Sequence, residues 1–299
     1  MSIINSFSWR DEKISQLILG TAQFGSDYGI ANKNGKVDDG MAKHLIYIAN
    51  AFGTNCVDTA QDYGNSEQIL GETCLDGIFV ISKFSNTLDM TKGRKVQRSI
   101  QDSLKRMRRD QVWCMMIHNE DWLDKWDSIK NNLIKCKEKG YIKYIGISLY
   151  GEDKLKQAID IPEIDIVQFP CNVWDQRLLR NNLLKSIDCA NKLCLIRSIY
   201  LQGLLVMSPD EVNRKLPKAF EASKQWDRLA KDIGMSKQHI SIFFANALNL
   251  PYIFGVESKR QLFENMDLAS IKLPRSLIDY IHDQMKPYLY KDIWSPKLW

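Results

Sequence analysis

A chain of 299 residues, 44% hydrophobic and 26% charged, can bury a large core without disulfides and suits one large domain or two small ones. Its formal charge of +5 is mild; it suits anionic small molecules, and no basic stripe interleaved with aromatics points to nucleic acid. No run reaches about 18 apolar residues, so no membrane span is expected, and residues 1–10 lack the basic-then-apolar order of a signal peptide.

The seven cysteines (Cys56, Cys74, Cys114, Cys136, Cys171, Cys189, Cys194) are odd in number and form no C-x-x-C pair. Several lie in apolar strand-like runs, which reads as reduced thiols in a cytoplasmic protein. The four histidines, His44, His118, His239 and His282, show no ligand spacing to them, so no metal site is expected.

In chain order, short apolar runs alternate with longer helical patterns. Residues 17–21 read as the first strand, and the Gly-, Asn- and Asp-rich stretch 22–38 as a loop. Helical spacing over 41–52 precedes a second strand at 55–59. Residues 66–74 read as a helix with Ser66 in the cap position, and 78–83 as the third strand. A helix over 91–107 sets Val96, Ile100, Leu104 and Met107 on one face. Its basic end, Lys105, Arg106, Arg108 and Arg109, complements the helix dipole and reads as a solvated terminus.

The fourth strand is 112–118, followed by a helix over 122–139 that Gly140 stops. Strand five is 144–148, a short helix covers 153–159, and strand six is 164–169, where Pro170 prevents the ladder from continuing. A helix over 179–192 leads to strand seven at 193–199. Helices over 220–233 and 237–248 precede strand eight at 252–255, and helices over 258–268 and 274–285 precede the tail. About eight β/α units without a linker argue for an α/β fold, a single (β/α)8 TIM barrel over 1–299 with extra C-terminal helices and tail. No G-x-G-x-x-G follows the first strand, which argues against a doubly wound dinucleotide fold.

In such a barrel, chemistry sits at the C-terminal ends of the strands. Asp58 closes the second strand, Lys83 the third and His118 the fourth, and Tyr63 lies on the loop after Asp58. A phenol of pKa about 10 is a poor acid near neutrality. A nearby ammonium is expected to lower that pKa, a carboxylate to fix the lysine, and a histidine to orient a carbonyl. Such a set protonates an oxyanion while a cofactor delivers hydride. Each residue has a plainer use alone: a turn cap, a solvated lysine, a core histidine, a packing tyrosine. Their common rim is what points to chemistry.

The stretch Asp58-Thr-Ala-x-x-Tyr63-Gly-x-Ser66-Glu67-x-x-Leu70-Gly71 resembles the second-strand signature of the aldo-keto reductases, and the resemblance runs from residues 17–25 to 264–265. It implies Tyr63 as proton donor, Lys83 and Asp58 as its tuning pair, and His118 as carbonyl orienter. Ser148 and Gln168 match positions that hold the nicotinamide carboxamide, although Leu149 stands where the family usually has Asn. Arg197 takes the place of an aromatic residue that stacks on nicotinamide, in a segment running through Gly203; a guanidinium plane can stack there too, and the plainer use is a surface ion pair.

The segment around Gly255, Glu257, Ser258, Lys259 and Gln261 resembles the loop and helix start that hold the adenosine end, with Glu264 and Asn265 as the adenine-contact pair. Where NADP-preferring relatives carry Arg or Lys, this chain has Glu257 and Gln261. A carboxylate repels a 2′-phosphate and accepts from a ribose hydroxyl, so the resemblance implies NADPH or NADH with a lean to NADH or dual use, Lys259 and Arg260 acting against it. Phe24, Tyr28, Trp174, Arg177, Trp294 and Trp299 are candidates for the substrate pocket, with ordinary packing as the alternative for each. The segment from Gly20 to Asn32 looks like a bacterial branch associated with sugar and surface-polysaccharide metabolism, which implies a small-molecule carbonyl substrate, a sugar or nucleotide sugar. Two rival readings remain: a non-catalytic cofactor-binding regulatory subunit, and a Schiff-base lyase using Lys83.

Overall fold

The computed structural model describes residues 4–73 and 76–299, without the side chain of residue 297. The first three residues and Cys74 lie outside the described residues. Eight parallel strands close a barrel: β3 (Leu17–Gly20), β4 (Cys56–Asp58), β5 (Phe79–Lys83), β6 (Val112–Ile117), β7 (Ile142–Ser148), β8 (Ile166–Pro170), β9 (Leu193–Arg197) and β10 (Tyr252–Gly255), which returns to β3. Before them, β1 (Ser6–Trp9) and β2 (Glu12–Ser15) form an antiparallel hairpin. No helix among the described residues is long and apolar enough to cross a membrane.

Side chains alternate across a strand, so every second residue faces the barrel interior. Ile18, Cys56, Ile81, Cys114, Met116, Tyr144, Ile166, Leu193 and Leu195 share one buried interior cluster. Two residues beyond these inward positions come Gly20, Asp58, Lys83, His118, Gln168 and Arg197, and Ser148 lies four beyond Tyr144. The polar candidates therefore sit on the inward row at or next to the C-terminal ends of successive strands. Gly20 and Gly255, paired across β3 and β10, are inward positions at the mouth without a side chain, and the cleft opens over them.

The hairpin plugs the other end. Trp9 joins the interior cluster, and Glu12 accepts from Trp113 Nε1 at 3.0 Å and pairs with Lys143. Arg10 meets Asp165 at 2.8 Å. No apolar alternation sustained across residues 6–15 marks this hairpin; Arg10, at φ 51°, makes the turn that separates its two short strands.

The described helices differ from the expected ones in several places, among them a short helix Ala22–Gly25 inside the stretch 22–38 expected to be a loop. The expected helix over 179–192 is two, Arg177–Arg180 and Leu183–Cys189, because Asn182 adopts a left-handed φ of 55°. The helix Pro209–Lys215 was not anticipated, although Ser208 and Glu211 form a capping box at its start. The helix Gly93–Met107 does end in its basic run, with Arg108 left-handed. Arg106 is not simply solvated, however: it donates twice to the buried Glu67, at 2.6 and 2.8 Å.

Candidate active site

The loop after β4 is held by backbone contact. A Cβ on Gly25 would lie 1.7 Å from the Tyr63 carbonyl oxygen, and one on Gly64 would lie 2.0 Å from the Gly25 carbonyl oxygen. Gly64 also sits at φ 50°, a conformation that costs other residues strain. This approach is tight enough to fix Tyr63 at the barrel mouth. Ser66 does not act as a cap on its own helix: its hydroxyl donates to Thr21 Oγ1 at 2.6 Å and lies 3.0 Å from Thr59 Oγ1, tying the same two loops together.

Lys83 is buried and donates to Asp58 Oδ2 at 2.6 Å, to the Thr59 carbonyl at 2.9 Å and to Tyr63 Oη at 3.5 Å. The other Asp58 oxygen accepts from Gln168 Nε2 at 2.8 Å, and Ser148 Oγ donates to Gln168 Oε1 at 3.4 Å. Burial pushes the Tyr63 phenol well above its ordinary pKa; the Asp58 carboxylate adds to this and Arg197 opposes it. The sequence argument expected the opposite direction. The Lys83 charge is compensated by Asp58 at contact distance, so it does not outweigh burial.

His118 meets Tyr63 edge to face, with ring centroids 6.1 Å apart. Its Nδ1 lies 3.3 Å from Asn86 Nδ2 and 3.7 Å from Asp62 Oδ2. Asn86 Nδ2 also donates to Asp62 Oδ2 at 2.9 Å, which identifies that atom as the amide NH2. An NH2 facing Nδ1 at hydrogen-bond distance, closer than the Asp62 carboxylate, favours Nδ1 as the acceptor and the ring proton on Nε2, the tautomer that can donate to a carbonyl oxygen. Asp62 and Asn86 were not singled out from the sequence. Both are ordinary polar loop residues, and only the fold brings them to His118.

A cleft of about 390 Å³ begins at Asp58, Tyr63 and Gln168, passes Arg197 and Gly203, and ends at Gly255, Glu257, Gln261 and Asn265. Over it runs the stretch 28–33, which contributes Tyr28, Gly29, Ala31 and Lys33. Ala31 N donates to the Gln202 carbonyl at 3.3 Å, and Lys33 pairs with Glu211 on the helix Pro209–Lys215. At the far end Ser258 caps the helix Lys259–Asp267 by accepting from Gln261 N. Gln261 Oε1 accepts from Glu257 N at 2.6 Å, and Asn265 donates to the Gln261 carbonyl and accepts from Tyr200 Oη. Burial raises the Glu257 carboxyl pKa, with Asp27 adding to it. Ser258, Lys259 and Glu264 do not line the cleft, and Arg260 is paired with Glu264 at 2.7 Å.

Arg197 forms no surface ion pair among the described residues. Its guanidinium lies 3.9 Å over the Tyr150 ring, Nη2 donates to the Leu149 carbonyl at 2.9 Å, and Nη1 to Ser198 Oγ at 3.2 Å. Its buried Nε has no hydrogen-bond partner. A flat cation with an orphaned donor at one end, a carboxylate at the other and a helix N-terminus beside it suit an elongated dinucleotide. Of the substrate-pocket candidates only Tyr28 lines the cleft. Phe24 is fully buried and Trp174 nearly so. Arg177 pairs with Asp175 and stacks on Trp294 at 4.1 Å, while Trp299 Nε1 donates to the Ile293 carbonyl, so these anchor the tail.

Residues 16–285 match the model of the aldo/keto reductase family. The "Uncharacterized oxidoreductase YqkF" of Bacillus subtilis (strain 168) is 22% identical over 299 residues, covering 91% of this chain and 97% of that protein. The "NADH-specific methylglyoxal reductase" of Escherichia coli (strain K12) is 26% identical over 258 residues, 76% of this chain and 77% of that one. The holo form of aldo-keto reductase AKR11C1 from Bacillus halodurans superposes with a TM-score of 0.76 at 18% identity, covering 98% of this chain and 100% of that chain. The glycerol dehydrogenase AKR11B4 from Gluconobacter oxydans does so at 0.73 and 19%, covering 96% and 95%. The chain belongs to the aldo/keto reductase family and is an NAD(P)H-dependent oxidoreductase.

Proposed function

We propose that the chain reduces a small, polar carbonyl, a sugar or related aldehyde or ketone, with Tyr63 as proton donor and NADH as the preferred cofactor. The supporting observation is the buried Lys83 contacting both Asp58 and the Tyr63 phenol at the head of an elongated cleft. The nicotinamide, when bound, supplies the hydride. Tyr63, its pKa raised by burial, stays protonated at neutral pH and donates to the oxyanion rather than accepting from an alcohol. The Nε2–H tautomer of His118 orients the carbonyl oxygen. Gln168 and Ser148 would hold the carboxamide, and Gln261 and Asn265 the adenosine end.

Glu257 supports the NADH preference. Its carboxylate lines the cleft, and no ion-pair partner is found for it among the described residues, so a 2′-phosphate would meet repulsion and a ribose hydroxyl an acceptor. The basic neighbour Arg260 is held by Glu264. Tyr28, Asp62 and Asn86 around the catalytic head are polar, which favours hydroxylated over aryl carbonyls. Loss of absorbance at 340 nm tests this with methylglyoxal, aldoses, nucleotide sugars and aryl aldehydes, each with NADH and NADPH. The expected order is polar carbonyls over aryl ones and NADH over NADPH. No oxidation with any carbonyl would sink the reductase reading, and a borohydride-trapped adduct at Lys83 would replace it with the lyase.

A further inference from the structure

Arg197 closes the inward row of β9 and brings a permanent charge to the cleft. The carboxylates around the catalytic head are already engaged. Asp58 is held by Lys83 and Gln168, Asp62 by Asn86, and Asp175 by Arg177. Arg197 lines the cleft while Tyr150, on which it stacks, does not. One face of the guanidinium is therefore covered by the tyrosine, and its plane is fixed by bonds to the Leu149 carbonyl and Ser198. The other face is presented to a ligand.

We propose that Tyr150 and Arg197 form a charge-sensitive shelf that binds NADH more tightly than NAD+. This rests on the reductase reading of the cleft. Reduced nicotinamide is neutral and can lie on a guanidinium plane as an aromatic ring does. The oxidised ring carries a positive charge, and like charges at stacking distance in a partly buried site repel strongly. A neutral aromatic residue in the same place lacks this discrimination. The overall equilibrium of the reaction is untouched, but NAD+ leaves quickly and does not compete for the site. The cost falls on the chemical step, because the ring gains positive charge beside a cation. Arg197 thus acts as a residue specific for the redox state of the cofactor. Its effect on Tyr63 is in the same sense: it opposes the rise in phenol pKa, consistent with an uncompensated charge nearby.

Isothermal titration of the unmodified protein with NADH and with NAD+ is the primary test. NADH is expected to bind at least about tenfold more tightly, which raises the two-electron potential of the bound couple by about 30 mV. Arg197→Gln keeps a planar group without the charge and is expected to bring the two affinities within about threefold of each other, mainly by tightening NAD+. Arg197→Lys keeps the charge without the plane and is expected to retain the preference while weakening both. Equal affinities in the unmodified protein overturn the shelf but leave the reductase reading intact, as does an unchanged ratio in Arg197→Gln. Binding of neither dinucleotide overturns both.

Discussion

The two halves of the barrel mouth are built differently. On the side of β4, β5 and β6, the ionised groups have partners within the protein. Lys83 and Asp58 are paired at 2.6 Å, Gln168 holds the second Asp58 oxygen, and Asp62 and Asn86 bracket His118. On the side of β9 and β10, Arg197 and Glu257 line the cleft with no ion-pair partner among the described residues, although Tyr150 supports one of them from behind. The first half is finished before any ligand arrives, as proton transfer in a fixed geometry requires. The second half carries charges of both signs that only a ligand would satisfy. Changes in the first half should therefore act on turnover, and changes in the second on which dinucleotide binds.

The largest separation is expected from Tyr63→Phe. Removal of the phenol proton lowers kcat roughly a thousandfold, read from NADH consumption with any accepted carbonyl. Lys83→Met comes next. It leaves Asp58 buried beside an apolar side chain, so unfolding free energy falls by about 3–5 kcal/mol in denaturant melts, and kcat falls roughly a hundredfold. Adding Asp58→Asn is expected to recover part of the stability and none of the turnover. Gly64→Ala forces the loop apart from Gly25 and displaces Tyr63, which lowers kcat by about tenfold to a hundredfold with little change in NADH affinity. Wild-type kcat in that variant would show that the backbone contact does not position the phenol.

The effects on the second half are smaller. Glu257→Gln is expected to tighten NADPH about tenfold relative to NADH. Burial raises the Glu257 pKa, so the carboxyl is neutralised at a higher pH than an ordinary glutamate as the solution is acidified. NADH preference should therefore weaken on acidification, beginning at a higher pH than an ordinary glutamate of pKa about 4.3 would give, and the Glu257 share of that change should vanish in Glu257→Gln. On the alkaline side the raised Tyr63 pKa keeps the phenol protonated, so carbonyl reduction should persist to about pH 10, the ordinary tyrosine value. A decline centred near pH 8 would mean that another group titrates.

The barrel and the convergence of its candidate catalytic residues were legible because each of Asp58, Lys83 and His118 is a polar residue closing an apolar run, two positions past an inward-facing one. Such a run reports strand, face and rim together. The substrate wall was not legible in the same way. Phe24 and Trp174 lie near strand ends, but large aromatics are drawn equally to the core, and there they went. Tyr150 gave no periodic signal; only the fold brings its ring under Arg197. The sign of the Tyr63 shift was missed because burial, its largest cause, is set by the fold, and because the Asp58 expected to fix Lys83 also raises the phenol pKa through its own charge. At the dinucleotide end, Glu257, Gln261 and Asn265 reach the cleft while Lys259 and Glu264 turn away, a distinction set by one helix rotation that spacing alone leaves open.

The central claim is that proton transfer and dinucleotide binding occupy separable halves of one cleft. Titration of tryptophan fluorescence with NADH in the Tyr63→Phe protein tests it most directly, paired with a single-turnover assay on the same sample. The account predicts an NADH dissociation constant within about twofold of the unmodified protein and a single-turnover rate lowered roughly a thousandfold. An undiminished rate, or a loss of NADH binding that matches the loss of rate, would contradict it.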